Sequence, residues 1–221
     1  AWGHGMAAIR IWYQSYVDEA HGRTYWDRLR AHLAALADTG TEIDIHGIAP
    51  HDSYPHRVME WRCAREMMVN AVTAEKQGCD AFIVGHFQDA GLHEARSMVD
   101  IPVLGLGETT MLHACTLAQR LALVTFKPAY IPWFRQQVAR YRLDGRISGI
   151  HAVDVPGAFY NAALESAAAN GPLYDHFRAA VEPLVRDGAE AIIPTGGGPM
   201  MVLSGLGRVQ EAPVLDGTAI T

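Results

Sequence analysis

The sequence predicts an α/β protein of two pseudo-symmetric lobes, each a parallel sheet wrapped by helices, with an active-site cleft between them. Three observations carry this. Short apolar, β-prone runs alternate along the 221 residues with longer amphipathic ones, an order that builds parallel strands joined by covering helices. The chain repeats itself, for Gly78-Cys79-Asp80-Ala81-Phe82-Ile83-Val84-Gly85-His86 is echoed 110 positions later by Gly188-Ala189-Glu190-Ala191-Ile192-Ile193-Pro194-Thr195-Gly196. The echo continues, with Ile101-Pro102-Val103-Leu104-Gly105 returning as Ala212-Pro213-Val214-Leu215-Asp216. The composition, 49% hydrophobic and 19% charged, buries a sizeable core without staples.

Each element has its own local reason. Strands are expected where apolar runs are short: Ile9 to Tyr13, Glu42 to His46, Ala81 to Val84, Val103 to Leu104, Leu121 to Val124, Ile147 to Val153, Ala191 to Ile193 and Val214 to Leu215. Helices are expected where the apolar period lengthens: Thr24 to Ala37, His56 to Gln77, Gly91 to Val99, Thr110 to Gln119, Pro132 to Tyr141, Phe159 to Arg186 and Pro199 to Gly205. Gly171-Pro172 predicts a break in the sixth. The first lobe is expected over residues 6–106 and the second over 107–221, with the chain crossing between them. No linker rich in Pro, Gly or Ser separates them, which predicts a tight interface. Residues 1–5 precede a start at Met6 and are set aside from the fold. The chain ends just after its last strand, where a closing helix is expected, which suggests a truncated sequence.

Charge and cysteine usage narrow the function. A net charge of -6 with no stripe of Lys and Arg gives no footprint for nucleic acid. No apolar run approaches the ~20 residues of a membrane span, and the start lacks a secretory signal, so a cytoplasmic protein is expected, acting on a small molecule and assembling as a homo-oligomer. Cys63, Cys79 and Cys115 are odd in number and lack metal-ligand spacing; structural thiols are the simplest account.

In such sheets ligands sit beyond the carboxyl ends of the strands. Those ends carry Gln14 and Ser15, Gly85 and His86, Thr125, and Thr195 with the glycines after it. At the first tip, Gly85-His86-Phe87-Gln88-Asp89, the imidazole either exchanges protons near neutral pH or stabilises its own turn. At the second, Gly196, Gly197 and Gly198 precede a helix and form either a cradle of bare N–H groups for a carboxylate or oxyanion, or a tight turn. The pattern fits neither the dinucleotide nor the P-loop fingerprint. His86, Asp89 and His93 could share a helix face about a metal, but Gly91 interrupts the spacing. His46, His51 and His56 fall in a Pro-rich loop, solvated or covering the cleft. Glu108 is an acid, a helix N-terminal charge or an ion-pair partner between lobes.

From Ala81-Phe82-Ile83-Val84-Gly85-His86-Phe87-Gln88-Asp89-Ala90-Gly91-Leu92, through Asp100-Ile101-Pro102-Val103-Leu104-Gly105-Leu106-Gly107-Glu108 and Leu123-Val124-Thr125, to Gly188-Ala189-Glu190-Ala191-Ile192-Ile193, the chain resembles the aspartate/glutamate/hydantoin racemase superfamily. It looks most like the hydantoin racemase branch. In that family each lobe supplies a cysteine, and the two thiols flank the acidic carbon of the substrate. The resemblance sets His86 at the first thiol position and Gly196 at the second, so both thiols are missing and two-thiol racemisation is not expected. It implies that Gln14, Ser15, Phe87, Gln88, Thr125, Gly196, Gly197 and Gly198 line the pocket. The expected protein is a cofactor-independent, isomerase-like enzyme that performs one-base proton transfer on a small carboxylate or hydantoin-like cyclic amide. His86 is its acid/base, and backbone N–H groups with Thr125 or Thr195 steady the developing charge. Hydrolysis or decarboxylation through His86 on the same scaffold, and non-catalytic binding of a small molecule, are the alternatives.

Overall fold

The computed structural model describes residues 8–20, 22–49 and 57–221; Met6, His51 and His56 lie outside them. The first sheet holds β1 (Ile9–Gln14), β2 (Thr41–His46), β3 (Ala81–Val84) and β4 (Val103–Gly105) in the order β2-β1-β3-β4, all parallel. The second holds β5 (Leu121–Thr125), β6 (Ile147–Ala152) and β7 (Ala191–Pro194) in the order β6-β5-β7, again parallel. Beyond β7, Val214 forms a single parallel bridge with Ile192, at the place where β4 pairs with β3 through Val103 and Phe82 in the first half. The two halves therefore share one strand order, and the sequence echo is a structural repeat.

The helices are α1 (Arg23–Leu36), α2 (Arg57–Lys76), α3 (Leu92–Arg96), α4 (Leu106–Leu117), α5 (Ile131–Arg140), α6 (Gly157–Glu165), α7 (Gly171–Arg186), α8 (Gly197–Leu203) and α9 (Gly217–Ile220). The repeated glycines have one cause. Gly78 after α2 and Gly188 after α7 take φ of 78° and 97°, and Cys79 N–H and Ala189 N–H reach back to Ala74 and Leu184 carbonyls at 3.0 and 2.9 Å. This is a Schellman ending, which needs a left-handed residue and so favours glycine. Each helix is thereby turned straight into the next strand, β3 or β7. The break at Gly171-Pro172 is present, with both residues in the first turn of α7.

Three elements differ from expectation. Val214-Leu215 is not a strand of its own but that single bridge, and β8 (Arg208–Val209) and β9 (Ala212–Pro213) form a small antiparallel hairpin before it. Two-residue strands carry too little pattern to be read. Helix α4 starts at Leu106, before Thr110, because the carboxylate that accepts its first N–H groups comes from Asp89. Finally, α9 follows Asp216, whose carboxylate accepts Thr218 N–H at 3.0 Å.

The core is continuous across the halves. One buried cluster joins Tyr13, Trp26, Leu29 and Ile83 from the first to Val124, Leu173, Phe177, Ile192 and Val202 from the second. Helix α1 follows β1 yet packs on α6 and α8. Two further clusters fill the remaining sheet faces, one around Phe82 and Met67, the other around Leu121 and Phe134. No helix among the described residues is long and apolar enough to cross a membrane.

Candidate active site

Parallel strands send their carboxyl ends to one side, so the loops after β1, β3, β5 and β7 converge. The β3 tip begins with Gly85, where a Cβ would lie 2.4 Å from the Tyr13 ring; only glycine lets strand and ring approach so closely. His86 follows, its imidazole stacked on Tyr16 with centroids 4.4 Å apart and planes 16° from parallel. Tyr16 is fixed in turn by its hydroxyl, which donates to the Ala90 carbonyl at 2.7 Å. The His86 Nδ1 is buried without a hydrogen-bond partner. Burial lowers the imidazole pKa to about 3, so the ring is neutral at neutral pH and has capacity to accept a proton.

The β7 tip meets it from the other half. A Cβ on Gly197 would lie 3.4 Å from both the Gly85 carbonyl oxygen and the Tyr13 hydroxyl, so the two tips touch. The glycines enter α8, whose first-turn N–H groups have no intrahelical acceptor. Between the tips lies a cavity of about 390 Å³. His86 and Gln88 line it from the first tip, Thr195, Gly196, Gly197, Gly198 and Pro199 from the second. Thr125, Phe126, Lys127 and Tyr130 come from the segment after β5, Val155, Gly157 and Tyr160 from that after β6, and Val17 and Tyr25 from that after β1. A pocket with apolar and aromatic walls and a few converging polar groups is the usual form of a small-molecule site. Among the described residues Lys127 is its only Lys or Arg, exposed and 6.0 Å from the Tyr130 ring centre, and no described Asp or Glu lines it. The field in the cavity therefore favours an anionic or neutral ligand.

Gln14, Ser15 and Phe87 are not among the lining residues. The Gln14 amide is spent within the fold: Oε1 accepts from Trp12 Nε1 at 3.1 Å and Asn70 Nδ2 at 2.9 Å, and Nε2 donates to the Ser15 and Gly47 carbonyls. Ser15 stands one layer behind, its hydroxyl 3.1 Å from that of Tyr25. Phe87 is wholly buried, edge-on to Phe134. Both threonines line the cavity, but each hydroxyl is engaged with backbone: Thr195 Oγ1 donates to the Val124 carbonyl at 3.2 Å, and Thr125 Oγ1 accepts Lys127 N–H at 3.1 Å. Cys63 and Cys79 are buried in the core and Cys115 is half-buried in α4; none of the three lines the cavity.

Asp89, one turn past His86, faces the opposite way. Its carboxylate accepts Gly107 N–H at 2.9 Å, Glu108 N–H at 2.7 Å, Gln137 Nε2 at 2.8 Å and the Tyr141 hydroxyl at 2.8 Å. It is 1% exposed, and burial raises its pKa to about 7 against the pull of those four donors. Asp89 thus caps α4 and ties the His86 turn to α5, leaving no oxygen for a metal shared with His86 and His93. Glu108 forms a two-pronged pair with Arg96 at 2.5 and 3.2 Å, an ion pair between α3 and α4. His46 stacks on Trp12 at 3.5 Å.

The fold has known counterparts. The family model Asp/Glu/Hydantoin racemase matches residues 22–221. The hydantoin racemase of Rhizobium meliloti is 29% identical over 189 residues, 84% of this chain and 71% of that protein. The hydantoin racemase of Pseudomonas sp. strain NS671 is 31% identical over 143 residues, 65% of this chain and 55% of its own length. Among solved structures, the allantoin racemase from Klebsiella pneumoniae superposes with a TM-score of 0.80 at 26% identity, covering 96% of this chain and 84% of that one. The chain is a member of the Asp/Glu/hydantoin racemase family of enzymes.

Proposed function

We propose that this protein catalyses cofactor-independent proton transfer at a carbon beside a carbonyl, in a hydantoin-like cyclic amide or a small carboxylate, with His86 as the base. One observation carries the reading: the cavity between the tips holds a neutral imidazole whose Nδ1 has no hydrogen-bond partner, and no thiol. The likeness to hydantoin racemases and an allantoin racemase supports the substrate class. His86 takes the proton, and the electron pair of the broken C–H bond moves into the carbonyl. The resulting oxyanion is steadied by N–H groups of the Gly196–Gly198 turn, with Lys127 at the rim. Positive charge on His86 forms beside negative charge on the substrate. That pairing raises the basicity that burial suppresses in the empty cavity. A neutral base and a single rim cation suit a ring amide or monoanion better than a dianion.

The test is deuterium uptake. A panel of 5-substituted hydantoins, allantoin, malonates and unsaturated diacids is incubated in D₂O and followed by mass spectrometry. Gain of one mass unit, with no addition of water and no loss of CO₂, is the expected outcome for at least one hydantoin. Addition of water or release of CO₂ without exchange contradicts proton transfer as the reaction.

A further inference from the structure

We propose that Tyr160 supplies the second proton-transfer group of the cavity, its phenol standing at the glycine-rich tip as the counterpart of His86 at the other. The inference rests on the proton-transfer reading above and names the group acting on the opposite face of the same carbon. It starts from a clash. A Cβ built on Gly198 would lie 2.3 Å from the Tyr160 hydroxyl oxygen and 3.6 Å from its Cζ. The phenol oxygen therefore fills the space into which a side chain on this turn would grow. A Cβ at Gly196, where the resemblance sets the missing thiol, would meet Pro199 at 3.3 Å; the phenol is delivered by another element two residues further along the same tip.

Tyr160 is well placed to hold that position. It sits in α6, directly after the loop that follows β6, and lines the cavity. Its ring is set edge-on to Phe126 at 5.9 Å and 87°, and Tyr25, whose hydroxyl is 3.1 Å from that of Ser15, lies across the same turn. Burial raises the phenol pKa, so the group carries its proton at neutral pH. The hydroxyls of Thr125 and Thr195 are engaged with backbone, and Lys127 sits exposed at the rim. The Tyr160 hydroxyl is a proton donor standing over Gly198.

The step balances. The His86 imidazole accepts the proton from the carbon, and the C–H electron pair forms an enolate. Those electrons return to carbon as the Tyr160 O–H bond breaks, and its proton is delivered to the other face. Imidazolium and phenolate remain. The opposite enantiomer runs the step in reverse on the imidazolium–phenolate form that the first leaves, since the resting enzyme holds both groups neutral. Between like turnovers the proton passes from imidazolium to phenolate through solvent.

Tyr160→Phe keeps the ring and removes only the hydroxyl. A single enantiomer of a hydantoin turned over by the wild type is incubated in D₂O; inversion is followed by circular dichroism and exchange by proton NMR. In Tyr160→Phe, inversion is expected to fall about 10²-fold or more, while exchange with retained configuration persists for the enantiomer whose proton faces His86 and is lost for the other. Gly198→Ala, which displaces the hydroxyl, should reproduce this imbalance. Unchanged inversion, or inversion and exchange falling in parallel at a constant ratio, overturns the role of Tyr160 and leaves His86 as base. A wild type that exchanges without ever inverting does the same. A wild type that neither exchanges nor inverts any panel member overturns the proton-transfer reading itself.

Discussion

The imidazole of His86 is set by what surrounds it, since Tyr16 holds its plane, Gly85 admits the close turn before it and burial keeps it neutral. Two outcomes follow from a pKa of about 3. First, kcat/KM should stay level from pH 8 down to pH 5, whereas a solvated imidazole would cause a loss near its ordinary value of ~6.5; a pH–rate profile on an exchanged hydantoin decides between them. Second, the group binds fewer protons folded than unfolded between pH 3 and ~6.5. Its stabilising share is therefore complete above ~6.5 and is lost as pH falls toward 3, at no more than about 1.4 kcal/mol per pH unit. Urea midpoints of wild type and His86→Ala, compared at pH 7 and pH 4.5, should show the wild type losing ground at the lower pH. His86 and the three glycines stand out in the sequence because each lies just beyond an apolar strand, where ligands gather. Gln14 lies at such an end too, but its partners Asn70 and Gly47 are remote in sequence, and nothing local shows that its amide is already spent.

Between elements, Asp89 carries the most tension. One carboxylate serves as the cap of α4 and as the tie from the His86 turn to α5, at a non-glycine residue with φ of 52°. Asp89→Ala would leave two backbone N–H groups and a phenol without their acceptor, and the Gln137 amide with the Phe87 carbonyl alone. A loss of about 3 kcal/mol is expected on the scale of unsatisfied buried groups, measured as the shift in unfolding free energy in urea. A loss below 1 kcal/mol would mean that water replaces the carboxylate freely. The strands β3 and β7 and the Gly171-Pro172 break were legible because their causes are local. The start of α4 was not, because its cap comes from 18 positions upstream, and the β8 and β9 hairpin was too short for any periodicity to show.

On the scale of the molecule, the repeat explains why the chemistry sits where it does. Two copies of one strand order bring two equivalent tips together over a shared core, and the copies then diverge, histidine at one and glycine at the other. The sequence made this divergence visible. It did not show the segment after β6, whose Val155, Gly157 and Tyr160 close the cavity, because neither half has a catalytic motif there and the convergence of five segments is a property of the assembled fold. The central claim is that one imidazole between the tips moves the proton. The most direct measurement is deuterium exchange into a hydantoin by wild type, by His86→Ala, and by His86→Ala with added imidazole. Exchange that falls about 10²- to 10⁴-fold in the variant and recovers in part with free imidazole is the predicted result. Exchange that survives the loss of His86 at the wild-type rate would contradict the account.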